Sequence, residues 1–392
     1  MSRPLFLAAL LAATFSVAAP AAFSAPAVAT AMAVPAAGIP APSIAASVHL
    51  LVDVTSGQTL ATVNGDERRD PASLTKLMTA YLVFGALRAK TIQPSQMVNV
   101  SERAWRAEGS RMFIEPRRAV SVDELLHGMI IQSGNDAAIA LAELVAGSEE
   151  AFVAKMNAET ARLGMTNSRF ANVTGLTAPD HYSTAADLAR LASAVIVDYP
   201  EFYPLYSQKE FRYNGITQPN RNRLLWTDPS VDGIKTGHTD AAGWCLIASA
   251  RNGERRLLAV VLGAASDAAR ASEAQKLLNW GFQAFDTVRL YQSGKPIGML
   301  TVWKGSMKEV PAGFLADRYL TLPKGKADKL ALTMDAQQTL VAPIARAQPV
   351  GTVKVALEGK PVAEFPLIAL EEVPEAGILG RAWDTIRLWF KR

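Results

Sequence analysis

The sequence predicts an α+β protein in two β-containing parts, and three observations carry that prediction. Strand-like segments open the chain, a long helical stretch follows, and strands return before another helix. After residue 286 the pattern changes to short strands separated by Gly, Pro and Lys turns. The final residues then repeat large apolar side chains at helical spacing.

Each element has a local reason. Val48-His49-Leu50-Leu51-Val52-Asp53-Val54 and Thr59-Leu60-Ala61-Thr62-Val63 flank Thr55-Ser56-Gly57-Gln58, which predicts a hairpin. Asp70 before Pro71 predicts an N-cap with proline at the first helical position, and Leu74, Leu77, Met78, Tyr81 and Leu82 follow at helical spacing. Ser121-Val122-Asp123-Glu124 is a capping box that starts a helix ending near Gln132. Residues 136–198 read as mostly helical, with a loop from Asn167 to Thr184. Gly243 to Ala250 and Arg255 to Gly263 are β-type runs joined by Arg251-Asn252-Gly253-Glu254, where Asn-Gly predicts the turn. Ala271, Ala274, Leu277, Leu278, Phe282 and Phe285 resume helical spacing, and the first domain closes there. The strands Leu300 to Trp303, Tyr319 to Leu322, Leu330 to Thr333 and Thr352 to Leu357 predict a small β-sandwich over residues 286–375.

The chain of 392 residues is 49% apolar, enough for about two to three domains at roughly 150 residues each. A formal charge of +4, spread along the chain, is no nucleic-acid footprint. The single cysteine, Cys245, excludes an internal disulfide, a thiolate zinc site and a redox pair, and reads as a small buried residue. Four histidines without a His-Glu-x-x-His motif argue against a metallohydrolase. No metal or other cofactor is expected.

Both ends carry targeting features. Between Arg3 and Asp53 no charged residue occurs, and the apolar run from Leu5 is interrupted at Pro20, short of a bilayer span. That predicts a signal peptide over residues 1–29, with an uncleaved anchor as the alternative, and a flexible Ala/Pro-rich lead-in over 30–44. At the other end, over residues 376–392, Ile378, Leu379, Ala382, Trp383, Ile386, Trp389 and Phe390 share one helical side, opposite Arg381, Asp384, Arg387 and Lys391. Leu388 is the misfit. A basic amphipathic helix bearing tryptophan predicts a surface anchor lying in the membrane interface. Burying six large apolar side chains at roughly 1.5 to 3 kcal/mol each supplies about 9 to 18 kcal/mol before ordering costs. The other reading is a helix docked on the protein's own surface.

Three short motifs carry the chemistry. Ser73-Leu74-Thr75-Lys76 places a hydroxyl and an amine on one helical face, about 5 to 6 Å apart at Cβ. Ser133-Gly134-Asn135 lies between two helices, and Lys235-Thr236-Gly237 precedes an apolar strand. Ser-x-x-Lys, Ser-Asp-Asn and Lys-Thr-Gly in that order mark class A β-lactamases and penicillin-binding proteins, and this chain departs from them only in the middle residue of the second motif. On these motifs, and on Arg68 to Lys76, Gln132 to Ala137, Asn220-Arg221-Asn222 and Asp232 to Thr239 around them, the sequence resembles the low-molecular-mass penicillin-binding proteins that are serine D-alanyl-D-alanine carboxypeptidases.

The resemblance implies a β-lactamase/transpeptidase-like catalytic domain over 45–285, an antiparallel sheet flanked by helices. It implies a periplasmic enzyme, peripheral on the outer face of the cytoplasmic membrane, that removes the terminal D-alanine from peptidoglycan pentapeptides, is acylated by penicillins and serves cell-wall maturation and cell shape. Ser73 is then the nucleophile. Lys76 is its base, yet at an unperturbed pKa only about one lysine in 2,500 is neutral at pH 7, so burial and the charge of Lys235 are expected to lower it by about three units. Ser133 relays a proton to the leaving nitrogen, and Asn135 orients the substrate amide. Lys235 and Thr236 hold the substrate carboxylate, with Gly237 and His238 continuing the strand beside it. The N–H groups of Ser73 and of the strand near His238 are expected to form the oxyanion hole. Arg270 matches a carboxylate-assisting arginine by spacing, whereas Arg221 reads as a structural ion-pair residue. Ser-Gly-Asn in place of Ser-Asp-Asn, and the lack of a Glu-x-x-Leu-Asn element in residues 155–180, disfavour a class A β-lactamase and predict slow loss of bound penicillin. Thr174 stands where the family usually has histidine. A β-lactamase and a catalytically silent wall-binding homologue are the competing readings, and penicillin turnover separates them from the carboxypeptidase.

Overall fold

The computed structural model describes residues 39–389; the expected signal peptide and most of the lead-in lie outside them, as do residues 390–392. The chain opens with the predicted hairpin, β1 (Ala46–Asp53) and β2 (Gln58–Val63). Helix α1 (Lys76–Arg88) follows, then short β3 (Met97–Val98), α2 (Glu102–Trp105) and β4 (Val120–Ser121). Helices α3 (Val122–Ile131), α4 (Asn135–Ala146), α5 (Glu149–Arg162) and α6 (Ala185–Asp198) form the helical middle. After the small hairpin β5 (Glu210–Tyr213) and β6 (Ile216–Pro219) and the turn α7 (Leu224–Thr227) come β7 (Val231–Thr239), β8 (Gly243–Asn252), β9 (Arg255–Ala264) and α8 (Asp267–Ala284).

The five main strands pair antiparallel in the order β2-β1-β9-β8-β7, so β7 is an edge. Successive residues of β9 face opposite sides, and both sides are covered. Leu257, Ala259 and Val261 pack with Leu51 and Leu246 against Ala271, Ala274, Leu277 and Leu278 of α8. Leu258, Val260 and Leu262 join the larger core with Leu77, Phe84, Leu125, Leu141 and Leu188 of the helices. Double coverage explains why these strands read as continuous apolar runs.

Two local expectations shift. No α-helix begins at Pro71: residues Ala72–Thr75 form a 3-10 turn, and α1 starts only at Lys76. Ala72 adopts φ +46°, outside the right-handed helical region, so the helix cannot run through it. Asp70 still caps the turn, its Oδ1 accepting from Ala72 N at 2.8 Å. In the β8–β9 hairpin Asn252 pairs with Arg255, which makes Gly253-Glu254 the turn instead of Asn252-Gly253.

The β-rich region contains β10 (Phe285–Tyr291), β11 (Gly298–Trp303), β12 (Glu309–Gly313), β13 (Arg318–Pro323), β14 (Leu330–Ala336), β15 (Leu340–Val341), β16 (Pro349–Leu357) and β17 (Lys360–Ala369). Six of them make one sheet, β14-β16-β17-β12-β11-β15, while β10 and β13 make a separate two-stranded ribbon. That ribbon is tied to the first sheet through Asp53. The fully buried Asp53 carboxylate accepts from Arg255 Nε at 2.8 Å, from Thr321 Oγ1 at 3.0 Å and from Thr287 Oγ1.

Helix α9 (Ile378–Trp389) ends the described chain. Its polar side is the one that docks. Asp384 accepts from the Lys304 backbone N–H at 2.7 Å, Arg381 pairs with Glu375, and the Arg387 guanidinium lies 5.9 Å from the Trp303 ring. Leu379 (87% exposed), Ile378 and Trp383 face solvent. Among the described residues no helix is long and apolar enough to cross a membrane.

Candidate active site

Ser73 lies in the 3-10 turn and Lys76 begins α1, so their spacing of three folds the side chains together. Lys76 Nζ is 3.0 Å from Ser73 Oγ and donates to the Thr174 backbone carbonyl at 2.6 Å. As a free amine the nitrogen keeps one donated bond to Thr174 and turns its lone pair to the Ser73 hydroxyl. Lys76 is only 2% exposed. Burial, then the charge of Arg221, pulls its pKa from 10.5 down to about 7, against an opposing pull from Asp136. The expected lowering is there, with Arg221 in the place given to Lys235.

A second lysine–serine pair faces the first. Ser133, at the α3–α4 junction with φ +66°, accepts from Lys235 Nζ at 2.9 Å. Lys235 lies on β7 and also donates to the Thr236 carbonyl. Its pKa is held well below normal by burial first, then by Lys76, Arg221 and Arg270. The edge strand crosses the nucleophile turn closely: a methyl group on Gly237 would stand 3.1 Å from Ala72 Cβ and 3.3 Å from Ser73 N. This close crossing suits the expected oxyanion site between Ser73 and His238. His238 is exposed and stacks on Trp244 at 4.0 Å.

Ser73, Ser133, Thr236, Gly237, His238, Arg221 and Arg270 line one cleft of about 890 Å³. Asn135 lines the neighbouring pocket with Glu108, Thr174 and Leu176: Nδ2 donates to the Glu108 carbonyl at 2.6 Å, and the buried Oδ1 has no partner among the described residues. An unused buried acceptor suits a substrate amide N–H.

Both arginines line the cleft, and their partners differ. Arg270 is 4% exposed and already engaged, donating to Gly237 O at 3.0 Å and pairing with Asp267, so it braces β7. Arg221 makes no hydrogen bond or ion pair among the described residues and lines the cleft as a free cation. Asn220 and Asn222 hold it there: Asn220 Oδ1 accepts from Asn222 N, and Asn222 Nδ2 donates to Gly233 O on β7. Cys245 is fully buried with its thiol pushed up to about 11, an unreactive packing residue. Thr174 contributes its backbone carbonyl to Lys76, while its hydroxyl donates to Asn172 Oδ1, so the catalytic contact at this position does not depend on a histidine.

Sequence reasoning assigned no role to Asp136, although it directly follows the second motif. Its fully buried carboxylate accepts from Met112 N, Phe113 N, Ile114 N and Ala137 N at 2.8 to 3.3 Å, pinning the cleft wall on which Phe113 sits at φ +71°. Asp136→Asn is expected to lower stability by about 2 to 4 kcal/mol, because an amide cannot accept all four bonds. It also removes the charge that raises the Lys76 pKa, so the acid limb of acylation moves to lower pH. Thermal unfolding and a pH profile of penicillin acylation check both.

Comparison with known proteins agrees with this geometry. The family model described as D-alanyl-D-alanine carboxypeptidase matches residues 35–266, and that of the penicillin-binding protein 5 C-terminal domain matches 285–375. The chain is 45% identical to D-alanyl-D-alanine carboxypeptidase DacC of Escherichia coli over 360 residues, 90% of each. Penicillin-binding protein 5 of Haemophilus influenzae superposes with a TM-score of 0.84 at 41% identity, covering 86% of this chain and all of that one. Penicillin-binding protein D2 of Listeria monocytogenes, solved in an ampicillin-bound form, matches with a TM-score of 0.58 at 31% identity over 62% of this chain and all of its own.

Proposed function

Because the chain belongs to the D-alanyl-D-alanine carboxypeptidase family and is a serine hydrolase of peptidoglycan, we propose that Ser73 is the residue its substrate acylates. The observation that carries this is the Ser73–Lys76 pair at 3.0 Å, with the lysine held at about pKa 7. Neutral Lys76 takes the Ser73 proton as Oγ attacks the carbonyl of the penultimate D-alanine. Ser133 passes a proton to the departing D-alanine nitrogen, and Asn135 receives the amide on the acyl side. Lys235, Thr236 and Arg221 face the terminal carboxylate, whose arrival offsets the cationic repulsion that lowers Lys235. Water then releases the shortened peptide. A β-lactam enters the same steps with its ring nitrogen tethered, and the ampicillin-bound relative supports that extension.

We infer the location from features at the two ends. Residues 1–29 direct export to the periplasm, and α9 lays Leu379, Trp383 and Ile386 into the outer surface of the cytoplasmic membrane while its docked polar side ties it to the β-rich domain. Cell-wall maturation and cell-shape maintenance are the roles this placement serves.

Release of D-alanine from a peptide ending in Lys-D-Ala-D-Ala tests the chemistry. Ser73→Ala should release none, and a chain ending at residue 377 should keep the wild-type rate. The same truncation should cut co-sedimentation with phosphatidylglycerol vesicles about tenfold or more; unchanged sedimentation removes the anchor.

A further inference from the structure

A loop running from Ala171 to His181 grips the nucleophile turn and its flanks, Asp70 and the start of α1, at four points, and one of them is a histidine with no part in the chemistry above. Asp70 Oδ2 accepts from Thr177 Oγ1, Gly175 presses on Ala72, and Thr79 Oγ1 donates to Val173 O at 2.8 Å. The fourth grip is His181, 5% exposed, whose Nε2 is 2.8 Å from Thr75 Oγ1. Its other nitrogen, Nδ1, accepts from the Ala171 backbone N–H at 3.0 Å. Since Nδ1 accepts, the ring proton sits on Nε2 and is donated to Thr75. One imidazole thus joins the two ends of the loop to the residue between Ser73 and Lys76. This loop also supplies the Thr174 carbonyl that holds Lys76.

We propose that His181 is a positioning residue for acylation: as a neutral imidazole it locks the loop bearing the Thr174 carbonyl to the turn bearing Ser73, and so keeps Lys76 aimed at the Ser73 hydroxyl. The inference rests on the reading of Ser73 and Lys76 as nucleophile and base. Protonation places a second N–H on Nδ1, opposite the Ala171 N–H, and that grip is lost. Burial holds the imidazole pKa down to about 4, and among the described residues the one charged group acting on it is Asp70, which pulls the other way. The Phe170 ring meets it edge-on at 5.8 Å. The lock therefore holds at neutral pH and opens in acid.

Glutamine reproduces the pairing, one acceptor and one donor, without titrating; phenylalanine fills the space with neither. The test follows acylation of the full chain by benzylpenicillin from pH 3.5 to 8. Wild type first shows that an adduct forms on Ser73; without one, the site reading fails and not this inference alone. His181→Gln should acylate within about threefold of wild type, and His181→Phe about 10- to 100-fold more slowly, the loss falling on the acylation rate constant and not on binding. Below pH 7 the wild-type rate should fall with unit slope as Lys76 protonates and steepen beyond unit slope around pH 4, towards two at lower pH, while His181→Gln keeps unit slope throughout. Thr75→Val, which removes only the hydroxyl, should slow acylation about tenfold and carries the test if His181→Phe does not fold. Wild-type acylation by His181→Phe or Thr75→Val, or the same steepening in His181→Gln, would overturn the proposal.

Discussion

Lys76→Ala is expected to slow acylation of Ser73 by about 10³-fold, within the range that a positioned general base supplies. The geometry leaves no substitute: the other amine near the cleft floor, Lys235, is bonded to Ser133 and Thr236. With the Lys76 pKa near 7, about half of the free enzyme carries the neutral amine at pH 7. Acylation should therefore rise through pH 7 to a plateau and fall tenfold per unit below it. The same group bears on stability. Its folded pKa lies below the unfolded value of 10.5, so between pH 7 and 10.5 the unfolded chain binds the extra proton and stability rises with pH. Below pH 7 the burial costs about 5 kcal/mol. Lys76→Met, which keeps the volume without the charge, is expected to be inactive yet to melt higher than wild type at pH 6. A variant that melts lower would show that the buried amine is not under strain.

Gly175→Ala should be nearly as damaging, for a steric reason. Gly175 has φ +86°, and a Cβ there would stand 1.8 Å from the Ala72 carbonyl oxygen and 2.9 Å from Ser73 N. Neither atom is the end of a flexible side chain, so either the nucleophile turn or the loop must move. Moving the loop withdraws the Thr174 carbonyl from Lys76. A loss of about 2 to 4 kcal/mol in stability and at least about 100-fold in acylation is expected. Gly147 supplies the control: at φ +82° it has nothing within 4 Å of its Cβ, so alanine there costs only about 1 kcal/mol of backbone strain and leaves acylation unchanged.

How far these features could be read in advance depended on whether they were local. The β8–β9 hairpin, the capping box at Ser121 and the three motifs each lie within a few residues, and periodicity or spacing exposes them. The 3-10 turn at Ala72 was hidden because it goes with a positive φ at a non-glycine residue, at a place that Gly175 and β7 approach closely from far along the chain. The partners of Arg221 and Arg270 were hidden for the same reason. Sequence spacing says where a guanidinium is, and only packing says that Asp267 and Gly237 occupy one of them. Asp136 and His181 serve backbone N–H groups and a hydroxyl that no pattern marks. Glycine beside an Asn-x-Thr turn, as at Asn172 to Gly175, was the one visible hint that the loop needed close approach.

The account turns on Ser73 being acylated and held. A time course of intact mass after mixing the chain with benzylpenicillin measures this directly. The expected result is a one-to-one adduct that maps to Ser73 and persists, since residues 155–180 lack the Glu-x-x-Leu-Asn element that would supply a deacylating glutamate. An adduct on another residue, no adduct, or rapid release of penicilloate would contradict it.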